Sequence, residues 1–398
     1  MTREPAFAVP TRRGLLALGA GLTVSFMGSS ALAAPDLSRR KLVVIVCRGA
    51  MDGLSVSPPI GDPDYPRLRG SIAIPADKAL ALDRDFALHP KLANLHALAL
   101  AGQARIAPAV AIPERIRSHF EAQDMLESGG ARLYGATTGW LNRTLQATQS
   151  TRPIKALSIG AQEPLILRGP VEADSWSPGG RVTPNISRVA TVLQDLYKHD
   201  ALLGPALAAG LQTEATADSL NGGQPLKGGD VKAFAVTAAK FLTAPGGPSI
   251  AVLSLDGFDT HARQGAADGQ LATRLRSLDD VVAGLQQGLG PAWSDTVVVV
   301  ATEFGRTAKI NGTEGTDHGT ASTLILAGGA LKRGGIVGDW PTLAQAKLFE
   351  NRDLAPTLDI RSVFKGVLAE HLGVDRRLLD TRVFPDSAAA PPVQGLVA

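Results

Sequence analysis

Two short stretches bring carboxylate and imidazole together. Asp256-Gly257-Phe258-Asp259-Thr260-His261 holds two carboxylates and one imidazole, and Asp317-His318 sits between Gly315 and Gly319. The chain has only 7 histidines, so an Asp-x-His just past an apolar run is informative. Such oxygen and nitrogen donors suit a divalent cation (zinc, manganese or calcium), as one ion or two. Glu303 and Arg306 follow another apolar run and add a carboxylate and a guanidinium. Asp52, in Arg48-Gly49-Ala50-Met51-Asp52-Gly53, is a further acidic residue on a glycine-flanked turn, although Asp-Gly is also common turn chemistry.

Ser118-His119 offers a hydroxyl beside an imidazole. Glu121 follows three residues after Ser118, which spells a capping box and makes Ser118 a helix N-cap. The same position places a hydroxyl where the helix dipole and free N–H groups favour an anion. His119 can serve as a base, a ligand or a packed ring.

These residues follow apolar, β-branched runs. Lys41 to Cys47, Ser249 to Leu255 and Val297 to Val300 read as strands buried on both faces, the pattern of a parallel sheet. Ala104 to Ala111, Ile154 to Ile159 and Ser322 to Leu326 read as further strands, and Ser71 to Ile74 and Gly334 to Val337 as short ones. Helices are expected over Pro90 to Ala101, from Ser118, from Thr138, over Asp268 to Leu289 and over Arg361 to Leu372. Strand followed by helix recurs, which predicts an α/β fold with a largely parallel central sheet flanked by helices on both faces. Parallel strands bring their carboxyl ends to one edge, where ligands of open α/β sheets bind. All the candidate residues then converge there.

The first 33 residues read as an export signal. Thr11-Arg12-Arg13-Gly14-Leu15-Leu16 is a twin-arginine signature, a weakly apolar Gly- and Ala-rich run follows, and Ala31-Leu32-Ala33 is a small-residue cleavage site. The competing reading is an uncleaved anchor, but Gly19, Gly21, Thr23, Ser25 and Gly28 dilute the run below what a membrane span requires. The rest, 34–398, reads as one domain with a helical insertion around 186–243 and a disordered tail over 388–398. The formal charge of +3 includes Arg3, Arg12, Arg13 and Glu4, a net +2 that leaves with the signal, so about +1 remains. That balance argues against nucleic acid or an anionic membrane as the main partner. Cys47 is the single cysteine, which excludes an internal disulfide and suits a buried, inert thiol.

The motifs R-G-A-M-D-G-L, L-H-P, S-H-F-E-A-Q-D, T-G-W-L-N-R, D-G-F-D-T-H and T-E-F-G-R-T with N-G-T-E-G-T-D-H-G resemble the bacterial exported family called domain of unknown function 1501. That family looks like a member of the alkaline phosphatase and sulfatase superfamily. The resemblance implies an alkaline-phosphatase-like fold in the periplasm. It places Asp52 near the superfamily's first metal-binding Asp, Ser118 at its nucleophile position, and Asp259 with His261 at its later metal pair. Glu303-Phe304-Gly305 stands where the superfamily has Asp-His-Gly, and His318 with Asp317 is a second donor pair. Arg48 stands where a carboxylate often begins the site, Met51 replaces a small residue, and the Cys-x-Pro-x-Arg motif of formylglycine sulfatases is absent.

The function expected on these grounds is metal-dependent hydrolysis of a phosphate or sulfate ester, with a small-molecule or polysaccharide substrate. Ser118, His119 and Arg306 would be catalytic, and Asp52, Asp256, Asp259, His261, Glu303, Asp317 and His318 would hold metal. The alternative is a non-catalytic periplasmic protein that keeps the fold and binds a polysaccharide or a protein partner.

Overall fold

A computed structural model describes residues 39–149, 154–160, 163–177, 184–223, 226 and 229–398. The signal over 1–33 lies outside the described residues. An eight-stranded sheet organises the chain. Its strands are β1 (Lys41–Cys47), β2 (Ala104–Ala111), β3 (Ala156–Ile159), β4 (Asp174–Trp176), β5 (Ile250–Leu255), β6 (Thr296–Ala301), β7 (Ser322–Ala327) and β8 (Leu358–Asp359). The spatial order is β8-β2-β7-β6-β1-β5-β3-β4. Strand β1 pairs in parallel with β5 and β6, β3 with β4 and β5, and β8 with β2. Only β7 runs antiparallel to its neighbours, β2 and β6.

Apolar side chains leave β1 alternately to two cores. Leu42, Val44 and Val46 enter one, and Val43, Ile45 and Cys47 the other. Period-two alternation in a strand without polar residues requires cover on both faces. Helices α2 (His119–Ser128), α3 (Trp140–Thr148) and α8 (Ile360–Leu372) cover the first face. Helices α1 (Ala93–Leu100), α6 (Val231–Thr243) and α7 (Gln270–Leu289) cover the second. In α7, Leu271, Leu275, Leu278, Val282, Leu285 and Leu289 form the buried stripe, each contributing about 1.5–3 kcal/mol of transfer free energy. Cys47 is buried, and desolvation pushes its thiol pKa well up, as an inert core thiol requires.

Between β4 and β5 lie three helices, α4 (Pro184–Tyr197), α5 (Leu203–Leu220) and α6. No helix among the described residues is long and apolar enough to cross a membrane. Three expectations need correcting. The short strand expected over Ser71 to Ile74 is a 3-10 turn, Gly70–Ile72. Gly334 to Val337 forms no strand, although the Val337 N–H donates to the Ile106 carbonyl at 2.8 Å. The tail over 388–398 is packed rather than disordered. The Glu370 carboxylate accepts N–H bonds from Gly395, Leu396 and Val397 at 2.6, 2.7 and 2.8 Å, and Leu396 is fully buried. Its Ala, Pro and Gly composition reads as loop, and long-range hydrogen bonds are what order it.

Candidate metal centre

The sheet delivers its polar residues to one edge. Strand β1 ends at the Arg48–Asp52 turn, β2 leads into α2, β5 into Asp256–His261, and β6 into Thr302–Arg306. Because β7 is reversed, the segment between β6 and β7 starts and finishes at that same edge. It folds back on itself. The Gly305 N–H donates to the Thr320 carbonyl at 2.9 Å, and the Thr307 N–H to the Asp317 carbonyl at 2.9 Å. Gly315 is required where this segment crosses the β5 loop, since a Cβ there would lie 2.3 Å from the His261 carbonyl. Gly49 fills the same need, with a virtual Cβ 2.6 Å from the Asp259 nitrogen.

Three imidazoles and one carboxylate meet at this crossing. Nε2 of His318 lies 3.0 Å from Nε2 of His119 and 3.0 Å from Nε2 of His261. Asp259 Oδ1 lies 2.9 Å from Nε2 of His261 and 3.4 Å from that of His318, and its Oδ2 lies 3.4 Å from Nε2 of His119. The opposite ring nitrogens decide the tautomers. Nδ1 of His318 sits 2.8 Å from the Arg117 carbonyl, which can only accept. Nδ1 of His119 sits 2.8 Å from Glu303 Oε1, and Nδ1 of His261 sits 3.4 Å from Asp317 Oδ1. The Nδ1 atoms of His119 and His318 therefore carry protons and their Nε2 lone pairs face each other, whereas His261 lies closer to a carboxylate through Nε2, 2.9 Å from Asp259, than through Nδ1. The His119 and His318 lone pairs, 3.0 Å apart, repel unless a cation or a proton lies between them. The His119 and His318 nitrogens and an Asp259 oxygen all lie within 4.8 Å of one another, a donor set that fits a divalent cation, and His261 stands next to it with Nε2 3.0 Å from that of His318.

Electrostatics favour the same arrangement. Burial opposes ionisation of Asp259, but Arg306 Nη1, 2.6 Å from its Oδ1, holds the carboxyl below the usual range. Glu303 is fully buried, yet His119, Gln123 and the Gly49 N–H keep its carboxyl depressed as well. The hydrogen bond to Glu303 raises His119, whereas desolvation lowers His318.

The remaining expected residues stand around this set rather than in it. Glu303 and Asp317 orient His119 and His261 from behind. Arg306 is buried, donates to Asp259, and is fixed by Nε to Thr316 Oγ1 at 3.1 Å and by Nη2 to the Thr316 carbonyl at 2.7 Å. It positions a donor and has no free edge for a substrate. Asp52 makes no bond to the imidazoles. Its Oδ2 is taken by Arg69, by Ser55 Oγ at 2.8 Å and by Gln264 Nε2 at 2.6 Å. Asp256 is exposed and lines a neighbouring cleft, so it too leaves the donor set. Ser118 caps α2 in extended geometry, but its side chain makes no capping hydrogen bond, so the capping box does not form. His119, placed among the catalytic residues, stands with the other two imidazoles, its Nε2 3.0 Å from that of His318. Sequence reasoning missed Gln123 and Gln264. Gln123, four residues after His119, lies on the same face of α2 and was recoverable from that spacing. Gln264, which accepts from Thr260 and Thr316 at 2.9 Å each, gave no such signal.

A family model described as "Protein of unknown function (DUF1501)" matches residues 39–383. The chain belongs to this family. No curated protein matches it in sequence. Among solved structures, this DUF1501 member is similar to the C-terminal periplasmic domain of EcEptC from Escherichia coli in complex with Zn. The identity is 11%, 73% of this chain and 72% of that one are covered, and the TM-score is 0.35. It is also similar to a phosphonate monoester hydrolase of Agrobacterium radiobacter, at 9% identity over 84% and 74% of the two chains, TM-score 0.35. Ps i-CgsB shows 12% identity over 89% and 77%, with a TM-score of 0.40.

Proposed function

We propose that this chain is an alkaline-phosphatase-like, metal-dependent hydrolase of phosphate or sulfate esters that works in the periplasm after twin-arginine export. The observation that carries the reading is the convergence of the His119, His261 and His318 Nε2 lone pairs on Asp259. These four residues would hold the cation. Imidazole-rich sets suit zinc better than calcium, and Asp52 and Asp256 lie elsewhere, which favours one ion over two. A divalent cation bound there supplies Lewis-acid polarisation to the ester.

The chain's own residues do the rest. Glu303 and the Arg117 carbonyl fix the tautomers of His119 and His318, and Arg306 keeps Asp259 ionised. No base is hydrogen-bonded to the Ser118 hydroxyl among the described residues, which supports water as the nucleophile. Water then adds its oxygen to phosphorus or sulfur, the bond to the alcohol oxygen breaks, and the alcohol leaves with a proton. With side chains of His261 and Asp259 45% and 41% exposed, the centre is open to a substrate.

Metal analysis of purified protein, followed by assay against phosphate and sulfate esters, tests the proposal. One equivalent of metal and turnover of at least one ester class are expected, both lost in His318→Ala. Protein that binds no divalent cation at neutral pH would overturn it.

A further inference from the structure

Beside the centre lies a cleft of about 800 Å³, within the range of small-molecule sites. Helix α2 joins the two. His119 enters the centre, while Phe120, Gln123, Asp124 and Glu127 line the cleft. Gln123 touches both sides, donating to Glu303 at 3.1 Å and accepting from Arg48 Nη1 at 2.7 Å. An ester held at the imidazoles therefore has this cleft next to it.

The charge of the cleft is unbalanced. Four carboxylates, Asp124, Glu127, Glu163 and Asp256, face two guanidiniums, Arg48 and Arg168. Arg48 is consumed by its pair with Glu127 and its bonds to Gln123 and Ser254. Three carboxylates then oppose Arg168, a surplus of two negative charges. The floor adds a polar group with nothing to bond. Ser158 on β3 is 1% exposed and lines the cleft, and its hydroxyl has no hydrogen-bond partner among the described residues. That hydroxyl is not one of the fully buried polar atoms without a partner, so it stays open to the cleft, where a ligand hydroxyl or water meets it. At the rim, Phe120 and Tyr134 are 85% and 66% exposed, an uncommon position for aromatic rings in the absence of a contact they serve.

We infer that this cleft binds the alcohol portion of the ester and selects an amino sugar. Sugar hydroxyls meet Ser158 and Asp256, the ammonium meets the surplus carboxylates, and the apolar face of the ring lies on Phe120 and Tyr134. Sulfated or otherwise polyanionic sugars are repelled by the same carboxylates. The inference deepens the hydrolase reading and rests on it for the term "alcohol portion".

Calorimetric titration of the full chain with a glucosamine trimer, its N-acetylated form and its N-sulfated form tests this. The glucosamine trimer should bind most tightly and the sulfated trimer most weakly. Asp124→Asn combined with Asp256→Asn should cut the advantage of the free amine by about tenfold, the scale of one charge-assisted hydrogen bond. Phe120→Ala and Ser158→Ala should weaken all binding. Equal or tighter binding of the sulfated trimer, no binding of the glucosamine trimer, or unchanged affinity in both single variants would overturn the inference. Metal content of the same samples separates the two readings. Sugar selectivity without metal removes only the hydrolase, and stoichiometric metal without sugar selectivity removes only the amino-sugar cleft.

Discussion

Glu303 accepts the Nδ1 proton of His119 across 2.8 Å while its own carboxylate is shut off from solvent. A buried acceptor behind a ring fixes both its tautomer and its direction. Glu303→Gln should therefore lower metal affinity by about 10–100-fold, the usual effect of removing an outer carboxylate, while the fold persists. Competition with a chelating dye measures it. Unchanged affinity would show that the pair is structural only.

Protons and a cation compete for the Nε2 lone pairs of His119 and His318. Metal affinity should accordingly fall as pH drops through the imidazole range near ~6.5, and retention of metal after dialysis at stepped pH reads this directly. Metal-free protein should show two further effects. Glu303 and Asp259 have depressed carboxyls, so their contribution to stability is present above the unfolded carboxylate pKa of about 4 and is lost as pH falls through their folded values. His119 is raised, so its contribution is complete below about 6.5 and is lost as pH rises through its folded value. A thermal-melt series across pH should show both flanks in the wild type, and Glu303→Gln should remove the His119 flank.

Arg306 binds Asp259 through one arm of its fork and Thr316 through the other two donors. Lysine keeps the charge but not the fork. Arg306→Lys should cost about 2 kcal/mol of stability, the scale of one charged hydrogen bond, and should weaken metal binding by releasing Asp259. Denaturant unfolding with and without added zinc checks both.

Ser118 separates two accounts of hydrolysis. Its side chain makes no cap bond, so Ser118→Ala should change stability by less than about 0.5 kcal/mol and leave ester turnover intact. A loss of activity by orders of magnitude, with metal content and melting temperature unchanged, would return the nucleophile role to Ser118.

Leu396 fills the core that α8 covers. Leu396→Ala should cost about 2–5 kcal/mol, as for other buried leucines, and Glu370→Ala should loosen the same segment. Hydrogen exchange at Gly395 to Val397 should report the loosening, and prior full exchange in the wild type would contradict the packing.

Much of this was legible in the residues. The valine and isoleucine runs of β1 and β6 announce buried strands, and the carboxyl-edge rule alone brings His261 and His318 together. Direction of side chains was not legible. Asp52, Glu303 and Asp317 are all carboxylates at strand ends, and nothing in their type distinguishes one that faces a cation from one that faces a ring nitrogen or Arg69. That choice depends on which partner the fold brings up, from Arg69, 17 residues from Asp52, to His119 and Gly49, 184 and 254 residues from Glu303. Ser118 failed for the opposite reason: a local motif was satisfied in spelling, while tertiary placement of α2 left the bond unmade.

The reversed direction of β7 makes the segment between β6 and β7 a detachable part. Both of its ends are anchored at the sheet edge, Asn311 and Thr313 donate to the His261 carbonyl at 2.9 and 2.8 Å, and between them a Cβ at Gly312 would meet nothing within 4 Å. Length can therefore be added at that turn without shifting the strands below. A lineage of such proteins, or an engineer, can reshape the approach to the imidazoles by swapping one turn while the scaffold stays as it is.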